Sequence, residues 1–423
     1  MEHTEKRLYI VILSMLLMMI VAGFATDGII KTVVHIWELQ YTRARLIQDF
    51  TVTSIGAALV NAALVGLIGL IVVFFSEVHL AGPTVASILT ITGFGLFGNT
   101  PFNSIPIILG VWIASRLARK SLGSYSLIAL FGTALGPLVT LVAFELTGSV
   151  FWMLPLSIIV GLAVGFILPA VAGSLLVIHQ GYNLYNVGFS CGFIGLFAAG
   201  FLKALHSLDD LIIVWNTQNH LTLMLLIPVF AIYLIICGVC IEGKHSWNSS
   251  CKDFIKIQKH SGRLPSDFTD MNSIGGTLIN MGVLALICWT YAMIIKAPLN
   301  GPVLGGIFTV IAFGGFGKHV RNCLPVMAGV IIATLVFGKS LVAPGPILAL
   351  FFCTTLAPIA GHFGWIAGII VGFIHLFMVE TTATWHGGLD LYNNGFAGGL
   401  TATLFVAFMQ WYRTNRPQED FKS

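Results

Sequence analysis

One fourteen-residue pattern closes each half of this chain: His-x-Gly-x-x-Leu-Tyr-Asn-x-Gly-Phe-x-x-Gly. The first copy carries His179, Gly181, Leu184, Tyr185, Asn186, Gly188, Phe189 and Gly192. The second carries His386, Gly388, Leu391, Tyr392, Asn393, Gly395, Phe396 and Gly399. So many matched positions imply duplication. Whatever the chain folds into must present the same polar, glycine-rich turn twice, each time between two apolar runs.

Those runs decide the fold class. The chain is 57% hydrophobic and 9% charged, against about 25% charged in soluble globular domains. Apolar stretches long enough to cross a bilayer, roughly 17–25 residues, recur along its length. The sequence therefore reads as an all-α, polytopic helical membrane protein, with the lipid bilayer as its solvent. The 46 glycines suit close helix packing and helix breaks in lipid. No basic stretch interleaved with aromatics points to nucleic acid. Residues 8–25 read as an uncleaved first helix, because Glu2 and Glu5 sit where a signal peptide carries only positive charge.

The duplication extends well beyond the closing motif. Asp49-Phe50-Thr51 matches Asp267-Phe268-Thr269, and Asn61 matches Asn280. Gly82-Pro83 matches Gly301-Pro302, Asn103 matches Asn322, and Pro137 matches Pro358. Each copy reads as about six apolar segments. They fall near 52–76, 84–97, 102–117, 123–146, 151–177 and 183–204, then 271–295, 302–316, 322–338, 344–361, 363–380 and 389–411. The expected organisation is an N-terminal helix and surface segment (1–48), repeat A (49–205), a linking helix without a counterpart plus a cytoplasmic linker (206–266), repeat B (267–412) and a tail (413–423). The second segment of each repeat spans only about half a bilayer, so broken or re-entrant helices are expected.

An odd number of crossings separates the starts of the two repeats, which makes their topologies inverted. With a cytoplasmic N-terminus, most Lys and Arg, including Arg116, Lys244, Lys318 and Arg413, fall on the cytoplasmic side. This predicts a multi-pass protein of the cell membrane with both termini cytoplasmic, and it leaves assembly into a homo-oligomer open.

Inverted repeats bind substrate near the midplane, at broken helices. Two such breaks occur per repeat. At the closing motif, His179, Tyr185, Asn186 and Gly188, with His386, Tyr392, Asn393 and Asn394, are the candidates. The two asparagines are expected to cap the helix that follows, leaving free N–H groups turned to a polar cavity. The competing expectation is an interfacial turn with His and Tyr at headgroup depth. At the second break, Phe94 and Phe97 with Phe313 and Phe316 form a candidate apolar constriction, or simple aromatic packing over glycine. Asn103 and Asn322 are polar in both copies and need partners.

Glu380, His386 and Asp390 concentrate titratable groups before the second copy, and Glu380 and Asp390 are candidates for proton or cation coupling. Cys237 and Cys240 form a CxxC that suits helix packing better than a metal. No metal or other cofactor is expected.

The tandem Leu184–Phe189 and Leu391–Phe396 segments (LYNVGF and LYNNGF) resemble an uncharacterised family of bacterial polytopic membrane proteins, in which a domain of unknown function occurs in two copies. That resemblance runs from about residue 49 and implies no activity. A fainter likeness, of architecture, is to urea transporters, although their order of Tyr, Asn and Gly differs.

The function expected is therefore a transporter or channel, not an enzyme, for a small polar solute, neutral or anionic. A metal cation would call for more carboxylates. The alternatives are a membrane-embedded enzyme built on His386, Glu380 and Asp390, or a structural or sensory protein that transports nothing. The sequence holds no HExxH motif.

Overall fold

The computed structural model describes residues 3–241 and 246–415. The last part of the expected C-terminal tail lies outside them. The first half runs α1 (His3–Asp27), α2 (Ile29–Tyr41), α3 (Ile55–Phe75), α4 (Gly82–Phe94), α5 (Pro101–Leu117), α6 (Ser126–Phe131), α7 (Gly136–Phe144), α8 (Val150–His179) and α9 (Asn186–Ala204). The second runs α10 (Leu221–Cys240), α11 (Ser246–Ile257), α12 (Phe268–Met271), α13 (Ile274–Ile294), α14 (Gly301–Phe313), α15 (Val320–Val336), α16 (Pro344–Phe352), α17 (Ala357–Phe363), α18 (Trp365–Trp385) and α19 (Asn393–Asn415). Among the described residues, nine helical stretches are long and apolar enough to cross a membrane. The protein is an all-α, multi-pass membrane protein.

Matched sequence positions make matched bonds. Asn61 donates to the carbonyls of Gly95 and Asn99, and Asn280 to those of Gly314 and Lys318. Each amide ties off the free carbonyls at the end of a short helix. Asn103 accepts from the Thr100 N–H and donates to the Gly98 carbonyl; Asn322 does the same with His319 and Gly317. Both asparagines are thereby buried caps of α5 and α15, with their partners inside the fold.

The correspondence begins earlier than the sequence suggests. Gln40 and Gln258 each donate to the matched asparagine, Asn61 or Asn280. Each also accepts from the first turn of the next helix, at Phe102 or Val320. Gly23 of α1 packs against the Gly56 carbonyl, and Gly238 of α10 against that of Gly275. The linking helix α10, expected to stand alone, therefore has its counterpart in α1.

The short helices lie at the centre. α4 and α14 have 13 residues each, about 20 Å. They cross with Gly93 against Gly305 and Phe308, and apart from Pro83 every one of their residues is buried. Their N-termini are capped across the molecule. Asp49 accepts from the Gly301 N–H at 3.1 Å, and Asp267 from the Gly82 N–H at 3.1 Å. Each aspartate also accepts from the threonine two residues on, Thr51 or Thr269. A capping carboxylate suits the positive end of the helix dipole, and here each half supplies it to the other.

Two other interruptions recur. A 3-10 turn, Gly132–Leu135, separates α6 from α7, and Cys353–Leu356 separates α16 from α17. The closing-motif helices then follow α8 and α18, which differ in length, 30 residues against 21.

Candidate functional site

Between α8 and α9 the chain turns through Gln180 and Gly181, both in the left-handed region. Between α18 and α19 it turns through Gly387 and Gly388, likewise left-handed. Each turn is locked from within. His179 Nε2 lies 2.9 Å from Asn186 Oδ1, and His386 Nε2 2.9 Å from Asn393 Oδ1. The other ring nitrogen accepts from the backbone N–H of Asn183 or Asp390. Asn186 also donates to the Ala172 carbonyl and Asn393 to that of Val379. Histidine and asparagine thus staple the new helix back onto the old one.

This arrangement corrects the expected role of the asparagines. Asn186 and Asn393 are not caps turned to a cavity; they are the first helical residues, and their side chains point back to α8 and α18. Just before each helix the side chain two residues back closes a turn: Asn183 accepts from the Tyr185 N–H at 3.2 Å, and Asp390 from the Tyr392 N–H at 2.8 Å. The neighbouring N–H groups are also taken: Leu184 donates to the Thr355 carbonyl and Leu391 to that of Ala134. The N–H groups of the residues leading into each helix are therefore taken up inside the fold. Asn394 is likewise engaged, with His375 at 3.0 Å. Both histidines and both tyrosines are buried within the protein, so none of the four rings is exposed as a headgroup anchor.

The two motif copies meet through their tyrosines and glycines. The rings of Tyr185 and Tyr392 are 4.4 Å apart, tilted 31°. Gly188 faces the Tyr392 ring, and a methyl group there would come within 2.7 Å of it. Gly395 faces Gly188, where a methyl would come within 2.9 Å of the Gly188 Cα. Only hydrogen fits at this crossing of α9 and α19. The small residues four apart, which in lipid let helices approach, serve here to admit the partner's rings. Gly192 receives Phe396, and Gly399 receives Phe189.

The phenylalanines of the second break converge on the same point. Phe94 packs edge-on against Tyr392 at 5.0 Å, and Phe313 lies 4.9 Å from Tyr185. Phe97 stands 5.5 Å from Phe94, and Phe316 6.0 Å from Phe313. The two sets of candidates, separate in sequence, form one aromatic cluster.

A cavity of about 600 Å³ ends on this cluster. Tyr185, Tyr392, Phe131, Phe313 and Phe316 wall its inner part. Toward the surface it is bordered by Val177, Gln180, Arg263 and Pro265, and Asn186 also touches it. Arg263 donates to the Gln180 carbonyl and lies over the Tyr182 ring at 4.5 Å.

The matched turn in the second half is roofed instead. The segment 206–219 runs alongside residues 45–49: the Val214 N–H donates to the Ile47 carbonyl, and the Asp49 N–H to the Val214 carbonyl. Leu208 and Leu211 pack on Gly387 and Gly388. Arg45, in the position matching Arg263, is buried; it donates to the Asp209 carbonyl and pairs with Glu145 at 3.3 Å. Burial pushes the Glu145 carboxyl above its ordinary value, against the opposing pull of the Arg45 and Arg43 guanidiniums.

The family described as protein of unknown function (DUF1576) matches residues 27–204 and 246–411. The chain belongs to that family. Its two matched segments each contain one closing motif and each begin within three residues of α2 or α11. No curated protein and no solved structure matches. For this family member, then, the site has to be argued from its own residues.

One further candidate changes place. Glu380 turns outward to Lys339, 2.7 Å away and half exposed, and so stands apart from the buried His386 and Asp390. Among the described residues, no group of three His, Cys, Asp or Glu is arranged to hold a metal. One residue was misread altogether. Lys318, assigned to a cytoplasmic loop, is fully buried. Its Nζ donates to the Tyr185 hydroxyl and lies 4.4 Å from that ring's centroid and 4.9 Å from that of Phe313. The signal available in the sequence was its position: Lys318 follows Phe-Gly-Gly-Phe-Gly where the first copy has Asn99.

Proposed function

We propose that this protein is a membrane transporter for a small solute, and that the solute site is the cavity ending on Tyr185 and Tyr392. One observation carries the reading. The two copies of the closing motif meet at a single buried crossing, and a cavity reaches that crossing past one turn while the matched turn is covered. Transporters built from inverted repeats place their site where equivalent elements meet and open it to one side at a time. On this reading the two halves are inverted copies of a duplicated unit. The charge distribution then puts the Arg263 side at the cytoplasm and the 206–219 segment outside, so the conformation is open inward.

A membrane-embedded enzyme has less support. Both ring nitrogens of His386 are engaged in holding the turn, and Glu380 is paired elsewhere. The cavity wall also changes the expected solute. The inner wall is aromatic rather than polar, so the solute needs an apolar body as well as its polar group.

The test is uptake of a labelled solute panel by proteoliposomes of the full chain. A bulky residue in the cavity, Ile128→Trp, is expected to bring uptake to the protein-free level while leaving the melting temperature in detergent unchanged. If no solute enters wild-type vesicles, or if the variant transports normally, the reading fails.

A further inference from the structure

A lysine buried behind the cavity's inner wall indicates what the cavity takes. An ammonium shielded from water is costly unless it is paired. Lys318 has an unusually poor set of partners: the Tyr185 hydroxyl and, at 3.4 Å, the Thr309 carbonyl. None of the ion pairs among the described residues includes it. The groups facing it from neighbouring elements are Tyr185 and the thiols of Cys288, Cys323 and Cys353, with no carboxylate among them. It sits directly behind two rings, Tyr185 and Phe313, that form the inner wall.

The cavity itself has the same bias. Among the described residues, Arg263 is the one charged residue that borders it, and neither Asp nor Glu does. Two cations therefore bracket an aromatic, carboxylate-free chamber, one at each end. At the position matching Lys318, Asn99 makes an ordinary amide bond to Thr133 at 2.8 Å, so the fold at this point does not require a charge.

Resting on the transport reading, we infer that the solute is an amphiphilic organic anion: an apolar body that fills the aromatic chamber and one carboxylate or similar group held in the field of Lys318 and Arg263. Unpaired in the empty protein, Lys318 gains its counter-ion when the solute enters. Tyr185 couples the two, since it bonds the ammonium and also lines the chamber. Leu176 and Val177, exposed apolar residues on the cavity's border, extend the apolar path toward the lipid, which suits a solute that partitions there.

Binding to the purified full chain in detergent, measured by equilibrium dialysis, tests this without requiring transport. The probes are benzoate and octanoate, each compared with its neutral amide. Wild type is expected to prefer each bound anion over its amide by roughly tenfold or more, as a nearby charge in a low-dielectric site dictates. In Lys318→Met and Lys318→Asn that preference should shrink toward one while amide binding stays as it was. Lys318→Arg should keep it. Arg263→Gln, at the half-exposed mouth, should reduce the preference less. If neither anion is preferred in wild type, or if the preference survives loss of Lys318, the inference is overturned. Should the lysine variants not fold, equal binding of anion and amide to wild type alone overturns it. Binding of a preferred anion without uptake into proteoliposomes would instead sink the transport reading and leave the anion site standing.

Discussion

The turn at 179–185 and the turn at 386–392 share one motif and matching histidine–asparagine bonds, yet one borders a cavity and the other lies under a roof. The difference comes from outside the motif. Residues 206–219 cover the second turn through Leu208, Leu211 and the Asp209 carbonyl, whereas Arg263 and Gln180 leave the first approachable. Matched positions in the core differ as well, among them Asp390 in place of Asn183 and Lys318 in place of Asn99. The crossing between the halves is shared; what differs is access and charge.

The crossing itself gives the largest expected effect. Gly188→Val and Gly395→Val should each destabilise the protein by about 3 kcal/mol or more, because overpacking against a ring or a backbone atom has no room to relax. Thermal unfolding in detergent would reveal it, and a large effect at one glycine with none at the other would break the equivalence.

Next come the matched arginines. Arg45→Ala should cost about 2 kcal/mol, since it leaves Glu145 buried with only the exposed Arg43 to answer it. Arg263→Ala should cost about 0.5 kcal/mol, as expected for a half-exposed side chain. Comparing the two melting curves tests whether position or environment sets an arginine's contribution.

Asp390 gives a smaller effect of opposite sign. Asn183 donates to the Gly395 carbonyl at 3.1 Å, whereas the Asp390 Oδ2 is buried without a hydrogen-bond partner. Asp390→Asn should therefore stabilise by about 1 kcal/mol, read as a raised melting temperature. A fall would mean that the acid has a partner the fold requires.

The roof should yield the least in stability and the most in contrast. Leu208→Ala with Leu211→Ala should cost about 1 kcal/mol, because both leucines are only partly buried. Amide hydrogen exchange across residues 387–391 should nevertheless speed up while that across 180–184 stays the same. Equal changes in both turns would show that 206–219 is not a local cover.

Much of the helix plan was legible. The apolar runs and the Gly-Pro starts at Gly82 and Gly301 give segment positions close to those observed, because local hydrophobicity and capping act over a few residues. What failed was identity at a distance. Asn186 looked like a cap because it stands at the helix start, but Asn183, three residues earlier, reaches the Tyr185 N–H first. Lys318 reads as a cytoplasmic cation from charge placement alone, as does Arg321 three residues on; burial of one but not the other is decided by helices far away in sequence. The kinship of α10 with α1 survives in single residues, Gly23 with Gly238, below the threshold of a visible repeat. The convergence of tyrosines and phenylalanines could not be read at all, since no local pattern says which of two breaks faces the other.

The exchanged aspartate caps have a consequence for how such a protein is made. Until Asp267 has left the ribosome, the start of α4 lacks the acceptor that Gly82 needs, and Asp49 waits still longer for Gly301. Neither half can finish its own centre ahead of the other. The molecule is therefore completed as a pair of interlocked hands rather than as two units built in turn, and a gene cut at the linker should give functional protein only when both pieces are synthesised together.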